Sequence, residues 1–168
     1  VTSEAETMGQ QAADLFRVLE ASGHGFVVIR PNNDPGVDAI QKVIAALPPA
    51  RFRVLPSMRF SHFSELLRNA AAIIGNSSTG VREAPFLGIP SLDIGTRQTN
   101  RALSASVHQA AADDHAGIAT FLRDDWGKRH APSQEFGAGR AADNFLSVLA
   151  DPVFWTRPLQ KHLTEGAT

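Results

Sequence analysis

Apolar positions along this chain switch between two rhythms. Between Glu4 and Ala21, the residues Ala13, Leu15, Phe16 and Leu19 recur at helical spacing, and Ser22-Gly-His-Gly25 follows as a stop signal. The next run, Phe26-Val-Val-Ile29, is continuously apolar and is bounded by the turn cluster Pro31-Asn-Asn-Asp-Pro-Gly36. A short apolar run between turn signals reads as a buried parallel strand. The alternation continues with a helix from Val37 to Leu47, stopped by Pro48 and Pro49, and a strand from Phe52 to Leu55. A helix from Ser61 to Ala70, capped by Ser61, leads to a strand from Ala71 to Ile74. A helix from Gly80 to Leu87 then precedes strands at Ser91 to Ile94 and Ala105 to Gln109. Further helices are expected at Asp114 to Asp125, Gly137 to Leu149 and Thr156 to Leu163. Strands that alternate with helices predict an α/β fold, a Rossmann-like parallel sheet with helices on both faces.

The 168 residues, 43% hydrophobic and 20% charged, are enough for one core and too few for two ordinary domains, so residues 1–168 are expected to form a single domain. Sixteen basic and 17 acidic residues nearly cancel and form no run of like charge. That balance argues against a nucleic-acid or anionic-membrane surface, and any bound anion must be held locally. No apolar stretch approaches the length of a membrane span. The absence of cysteine excludes disulfides and thiolate chemistry and fits a cytoplasmic setting. The six histidines form no i, i+4 pair, so a zinc site or metal hydrolase is not expected. The chain opens at Val1 instead of Met, which raises the expectation that it is a piece of something longer.

Candidate chemistry concentrates between Ala71 and Gln98. A buried strand, the loop Gly75-Asn-Ser-Ser-Thr79 and a helix starting near Gly80 would aim backbone N–H groups at one point, a suitable place for phosphate. The plainer reading of Asn76, Ser77, Ser78 and Thr79 is helix capping, but three hydroxyls and a glycine exceed what one cap requires. Glu83 can simply complement the helix dipole. With Gly80 three residues before it there is no capping box, which leaves its carboxylate available to accept from both hydroxyls of a ribose. Arg97 follows Ile94-Gly95 in the next βα loop and can reach the same crevice as Asn76 to Gly80. Pro56 to Phe60 lies at another strand end. There Arg59, with Phe63 of the following helix, can border a base, although Phe63, Leu66 and Leu67 also read as a buried helical stripe.

Gly75-Asn-Ser-Ser-Thr-Gly-Val-Arg-Glu83, together with Gly88-Ile-Pro90 and Gly95-Thr-Arg-Gln98, resembles the C-terminal domain of the UDP-N-acetylglucosamine 2-epimerase family. The resemblance extends over most of the chain, with its specificity between Ile73 and Arg101. Ser78-Thr79 and Arg82 stand where non-hydrolysing relatives carry a glycine pair and a second glutamate, which favours the hydrolysing branch that serves sialic acid synthesis. The resemblance implies the C-terminal half of a B-type glycosyltransferase-like fold and a UDP site in which Ser77, Ser78 and neighbouring amides from Asn76 to Gly80, Thr79 included, hold the phosphates, Glu83 the ribose and Arg97 the diphosphate; Arg59 and Phe63 join it as candidates from the adjoining strand end. It implies no metal, nicotinamide or other cofactor. It also implies elimination of UDP from a UDP-2-acetamido sugar and hydration of the resulting glycal to the free 2-epimer. The acid–base residues belong to the family's N-terminal domain, so this chain alone is expected to be inactive, and the full-length protein is expected to be a homo-oligomer. Two departures stand out: Asn100 replaces a glycine common before Arg101, and Gly137-Ala-Gly139 lacks the central carboxylate of a Gly-Asp-Gly turn.

Two other readings remain open. Glu83-Ala-Pro-Phe-Leu-Gly-Ile-Pro90 also suits the donor-binding domain of a B-type glycosyltransferase, and a non-catalytic nucleotide-binding module would need no acid–base groups.

Overall fold

A computed structural model describes residues 7–32 and 36–158. The chain forms two compact units, Val1–Glu135 and Phe136–Thr168. In the first, the elements run α1 (Met8–Ala21), β1 (Phe26–Ile29), α2 (Val37–Ala45), β2 (Phe52–Leu55), α3 (Phe60–Asn69), β3 (Ile73–Gly75), α4 (Ser78–Val81), α5 (Glu83–Phe86), β4 (Ser91–Ile94), β5 (Val107–Ala110) and α6 (His115–Asp124). Every ladder among the described residues is parallel, as the alternation of strands and helices predicts. The hydrogen bonds fall into two groups, β1-β2 and β3-β4-β5, with Phe26 opposite Phe52, Gly75 opposite Asp93, and Asp93 opposite Gln109.

Strand alternation sends successive side chains to opposite faces, and both faces are covered. On one, Leu92 and Ile74 pack with Leu19 of α1 and Ile118, Phe121 and Leu122 of α6. On the other, Ile73 packs against Leu67 of α3, Ala84 of α5 and Ile89. Phe52 joins β2 to the first cluster through Phe16, edge-on at 5.6 Å, and Phe26, stacked at 5.4 Å. Burying a side chain of this size contributes about 1.5–3 kcal/mol. Removal of one such group from the centre, Ile118 or Leu92, would cost more than any surface change.

The expected boundaries shift where proline, glycine and caps decide them. The helix expected from Gly80 to Leu87 is two short helices that meet at Arg82, whose backbone (φ −112°, ψ −62°) departs from ideal helix. Pro85 explains the break, because it has no N–H to give the carbonyl of Val81 and its ring crowds that carbonyl. The first of the two begins at Ser78, earlier than expected, with Ser77 at its cap. Ser61 does not cap α3. Arg59 occupies that position with extended backbone and no side-chain cap bond, and Ser61 lies inside the first turn. The helix expected from Val37 to Leu47 stops at Ala45, because the residue before a proline disfavours helical backbone. Strands β3 and β5 sit slightly later than expected.

In the second unit, α7 runs Ala141–Ala150 and α8 runs Pro152–Trp155. The earlier start expected at Gly137 fails because Gly137 and Gly139 hold positive φ, 110° and 78°, which no right-handed helix accepts. Among the described residues the final helix starts at Pro152, where Asp151 accepts from Val153 N–H at 2.9 Å, and Thr156 caps its C-terminal end. Residues 159–163 of the helix expected over 156–163, residues 4–6 of the first, and residues 33–35 of the turn cluster lie outside the described residues. No helix among the described residues is long and apolar enough to cross a membrane.

Gly80 fixes how closely α4 can lie on β4. A Cβ added there would stand 2.6 Å from Ser91 Oγ, and Ser91 is fully buried. Gly80→Ala is therefore expected to cost about 1–3 kcal/mol, the range for overpacking. Ser91→Ala should change stability little, since Ser91 Oγ is buried without a hydrogen-bond partner. The double variant should regain most of the loss in urea unfolding; a double variant as unstable as Gly80→Ala alone would show that the clash lies elsewhere.

Candidate nucleotide site at the strand ends

The loops after β3 and β4 are tied together by one buried side chain. Gln98, 3% exposed, donates its Nε2 to the backbone carbonyl of Asn76 at 3.0 Å and accepts from Arg101 at its Oε1, 2.9 Å away. Gln109 on β5 holds the second loop from the other side, with Nε2 3.2 Å from the carbonyl of Gly95 and 2.5 Å from Thr99 Oγ1. Asn100 gives this loop its bend, at φ 61°. That is the left-handed region which glycine enters freely and asparagine tolerates best among other residues. An asparagine at this position therefore makes the turn that a glycine would also allow.

Within the first loop, Ser77 is the cap of α4: its Oγ accepts from Thr79 N–H at 3.3 Å, a long and hence weak contact. The capping reading holds for that lone pair. The hydroxyl's own proton is not used by it, and Asn76 and Ser77 are both exposed at the strand end. Ser78 and Thr79 are half-buried and Gly80 is buried against Ser91.

Glu83 begins α5, half-buried, and its Oε2 is enclosed without a hydrogen-bond partner. A buried carboxylate oxygen with no donor is uncommon, because each such atom forfeits the bond that water would have given it. The α5 helix is held by the turn that follows it. Gly88, at φ 67°, gives its N–H to the carbonyl of Pro85, and Ile89 gives its own to Ala84. A side chain at Gly88 would run into the carbonyl of His130, which accounts for glycine at that position.

The remaining sequence candidates sit as follows. Arg97 is exposed on the second loop, and Arg59 is exposed at the start of α3. Phe63 is half-buried and packs against the cluster of Leu67, Ala84 and Ile89. Its helical-stripe role is therefore visible in the packing.

Three residues at the centre of the site were not among the sequence candidates. Gln98 and Gln109 act through bonds to loops distant in sequence, and no local pattern reports those. Asp93 lies opposite both Gly75 and Gln109, 3% exposed, with Oδ1 unpartnered, and burial holds its carboxyl above the usual carboxylate value of 3.8. The available signal was the polar residue at every second position of Ser91-Leu-Asp-Ile94, a pattern that ordinarily marks a solvated face.

The UDP-N-acetylglucosamine 2-epimerase family model matches residues 1–150, and the chain belongs to that family. It is 37% identical to a UDP-N-acetylglucosamine 2-epimerase of Neisseria meningitidis, over 98% of this chain and 45% of that protein. It is 31% identical to the polysialic acid biosynthesis protein P7 of Escherichia coli, over 68% of this chain and 30% of the relative. A hydrolysing UDP-N,N'-diacetylbacillosamine 2-epimerase of Legionella pneumophila is 25% identical over 89% of this chain and 40% of its own length. The chain thus spans less than half the length of these curated relatives.

Asp93 also makes stability depend on pH. Because its folded pKa is raised, the folded state is favoured most below the unfolded value and loses that advantage as pH rises through the folded value. Asp93→Asn removes this charge, so the variant should gain Tm over the parent at neutral pH and lose the gain toward acid pH. Melts across that range check it; a constant difference between the two proteins would mean Asp93 stays in the same ionisation state throughout.

Proposed function

We propose that this chain is the UDP-binding half of a hydrolysing 2-epimerase that acts on a UDP-2-acetamido sugar. The observation that carries the proposal is the unpartnered, enclosed Oε2 of Glu83 beside two loops that Gln98 ties together. A vicinal diol is the ligand such a carboxylate lacks: each ribose hydroxyl donates one hydrogen bond to one oxygen. The diphosphate lies over Asn76 to Gly80 and Arg97, where the Ser77 proton and the guanidinium donate to it. Phe63 and Arg59 border the base.

In the full-length protein UDP leaves from C1 as a proton leaves C2, which gives a glycal, and water then adds to yield the free 2-epimer. The groups that move these protons, and those that choose the sugar, belong to a second domain outside this chain, so the chain alone binds nucleotide without completing the reaction. The names of the Legionella and E. coli relatives support the hydrolysing branch and a place in sialic or related acid synthesis. The absence of cysteine fits a cytoplasmic setting, and the proposed full-length protein is a homo-oligomer.

Glu83→Gln is expected to weaken UDP by about 1–3 kcal/mol, the range for a bond to a charged group, and to weaken 2′-deoxy-UDP much less. Titration calorimetry with both nucleotides decides; equal losses would leave Glu83 a helix-dipole residue.

Ser77→Ala and Arg97→Ala should each weaken UDP while uridine, which has no phosphate, binds unchanged. Arg97→Ala should have the larger effect, because a guanidinium can make two charge-assisted bonds where a hydroxyl makes one. Variants that melt earlier yet bind UDP like the parent would reduce the loop to a cap worth about 1 kcal/mol.

A further inference from the structure

Asp93 has a position that capping and core packing leave unexplained. It shares its face of β4 with Ser91, two residues away, and Ser91 meets Gly80 of α4. Asp93 therefore faces the α4 layer, one step nearer the strand end, and its Cα partners are Gly75, which opens the Asn76 to Thr79 loop, and Gln109, which holds the Gly95 to Thr99 loop. The buried polar side chains among the described residues are Ser91, Asp93, Gln98 and Ser106, and of these only Asp93 titrates. Its Oδ1 has no partner, whereas the carboxamides around it are committed to the loops.

The charged groups around it do not account for this. Strand β3 and helix α4 contribute no titratable side chain to its face, and on β5 the titratable His108 packs on Phe121, on the opposite face. In the second loop Arg101 is engaged with Gln98 and Arg97 is exposed; at the α4–α5 junction stand Arg82, also exposed, and Glu83. Burial alone lifts the Asp93 carboxyl above its usual range. A buried carboxylate under a diphosphate would be repelled with little screening, whereas a carboxylic acid there offers an O–H donor.

We propose that Asp93 is a ligand-facing residue of the nucleotide site that meets the diphosphate in its neutral form, so that binding a nucleotide sugar takes up one proton from solution. The proposal rests on the nucleotide-site reading. The step is a simple protonation: the buffer gives one proton to the Asp93 carboxylate, and the O–H so formed donates to a phosphate oxygen.

The test is calorimetry of UDP-glucose binding between about pH 5 and pH 8, in buffers of different ionisation enthalpy. UDP-glucose is the probe because each of its phosphates is linked on both sides, by one ester and one anhydride bond, and carries no proton that titrates in this range. The terminal phosphate of UDP itself titrates near pH 6 and would mask the effect. In the parent, affinity should fall as pH rises, by up to about tenfold per pH unit, with uptake that approaches one proton per ligand. Asp93→Asn should bind with a flatter pH profile and without that uptake. The proton count in the parent needs no variant and keeps the test valid should Asp93→Asn fold poorly. Binding by the parent that is flat in pH and takes up no proton overturns the proposal and leaves the nucleotide site standing. An equal pH dependence in Asp93→Asn assigns the proton to another group and also overturns it. No binding by either protein at any pH removes the nucleotide-site reading, and this proposal with it.

Discussion

The bond from the Gln98 carboxamide to the carbonyl of Asn76 is the constraint on which the site depends. Two loops that leave neighbouring parallel strands have no backbone ladder to fix their separation, since the ladder ends at Gly75 and Asp93 on one pair and at Ile94 and Ala110 on the other. A side chain must span the gap. Gln98 does so from a buried position, where low dielectric strengthens the bond and a lost partner would be costly. Gln109 anchors the same loop from β5, so the Gly95 to Arg101 segment is held at both ends of its arc. With the loops set, Arg97 and the Asn76 to Gly80 backbone share one edge of the sheet.

Helix α5 depends on a second constraint, which is covalent. Pro85 breaks what would have been one helix from Ser78 to Phe86, and the break at Arg82 gives α5 its own first turn with Glu83 at its head. Had the helix continued, Glu83 would lie mid-helix and its carbonyl and carboxylate would sit differently relative to Ser77. Gly80 then lets α4 approach β4, and Gly88 returns the chain to the sheet within two residues. Proline and glycine thus do the shaping here, and the polar residues occupy the places that result.

The sequence made the strands legible wherever an apolar run was bounded by turn residues: Phe26–Ile29, Phe52–Leu55 and Ser91–Ile94 fall where they were expected. Helix ends were less legible, because caps are chosen by backbone conformation as well as by side-chain type. Arg59 takes the extended cap position and Ser61 does not, a difference that composition cannot express. The loops and Glu83 were legible as candidates because hydroxyls, glycine and an acid cluster locally after an apolar run. Gln98 was missed as a site residue because its partner is 22 residues away, and Asp93 because alternation on β4 imitates a solvated edge. Those two errors share a cause: local pattern reports which face a residue is on, and tertiary packing decides whether that face is wet.

Capping and ligand binding need not compete for the Asn76 to Thr79 loop. A serine hydroxyl has two lone pairs and one proton, and the cap at Ser77 uses a lone pair on Thr79 N–H. The proton remains, turned by free rotation about the C–O bond, and its donation would leave the cap undisturbed. The same division applies to Glu83, whose charge complements the start of α5 while its oxygens remain acceptors. Each residue therefore serves the fold with one property and presents the complementary one at the strand end. A loop built in this way has a geometry set before any ligand arrives, so less ordering entropy is lost on binding. The enclosed oxygens of Glu83, at the head of α5, and of Asp93, on β4, are the cost of that arrangement, since each forfeits a bond that water would otherwise give it.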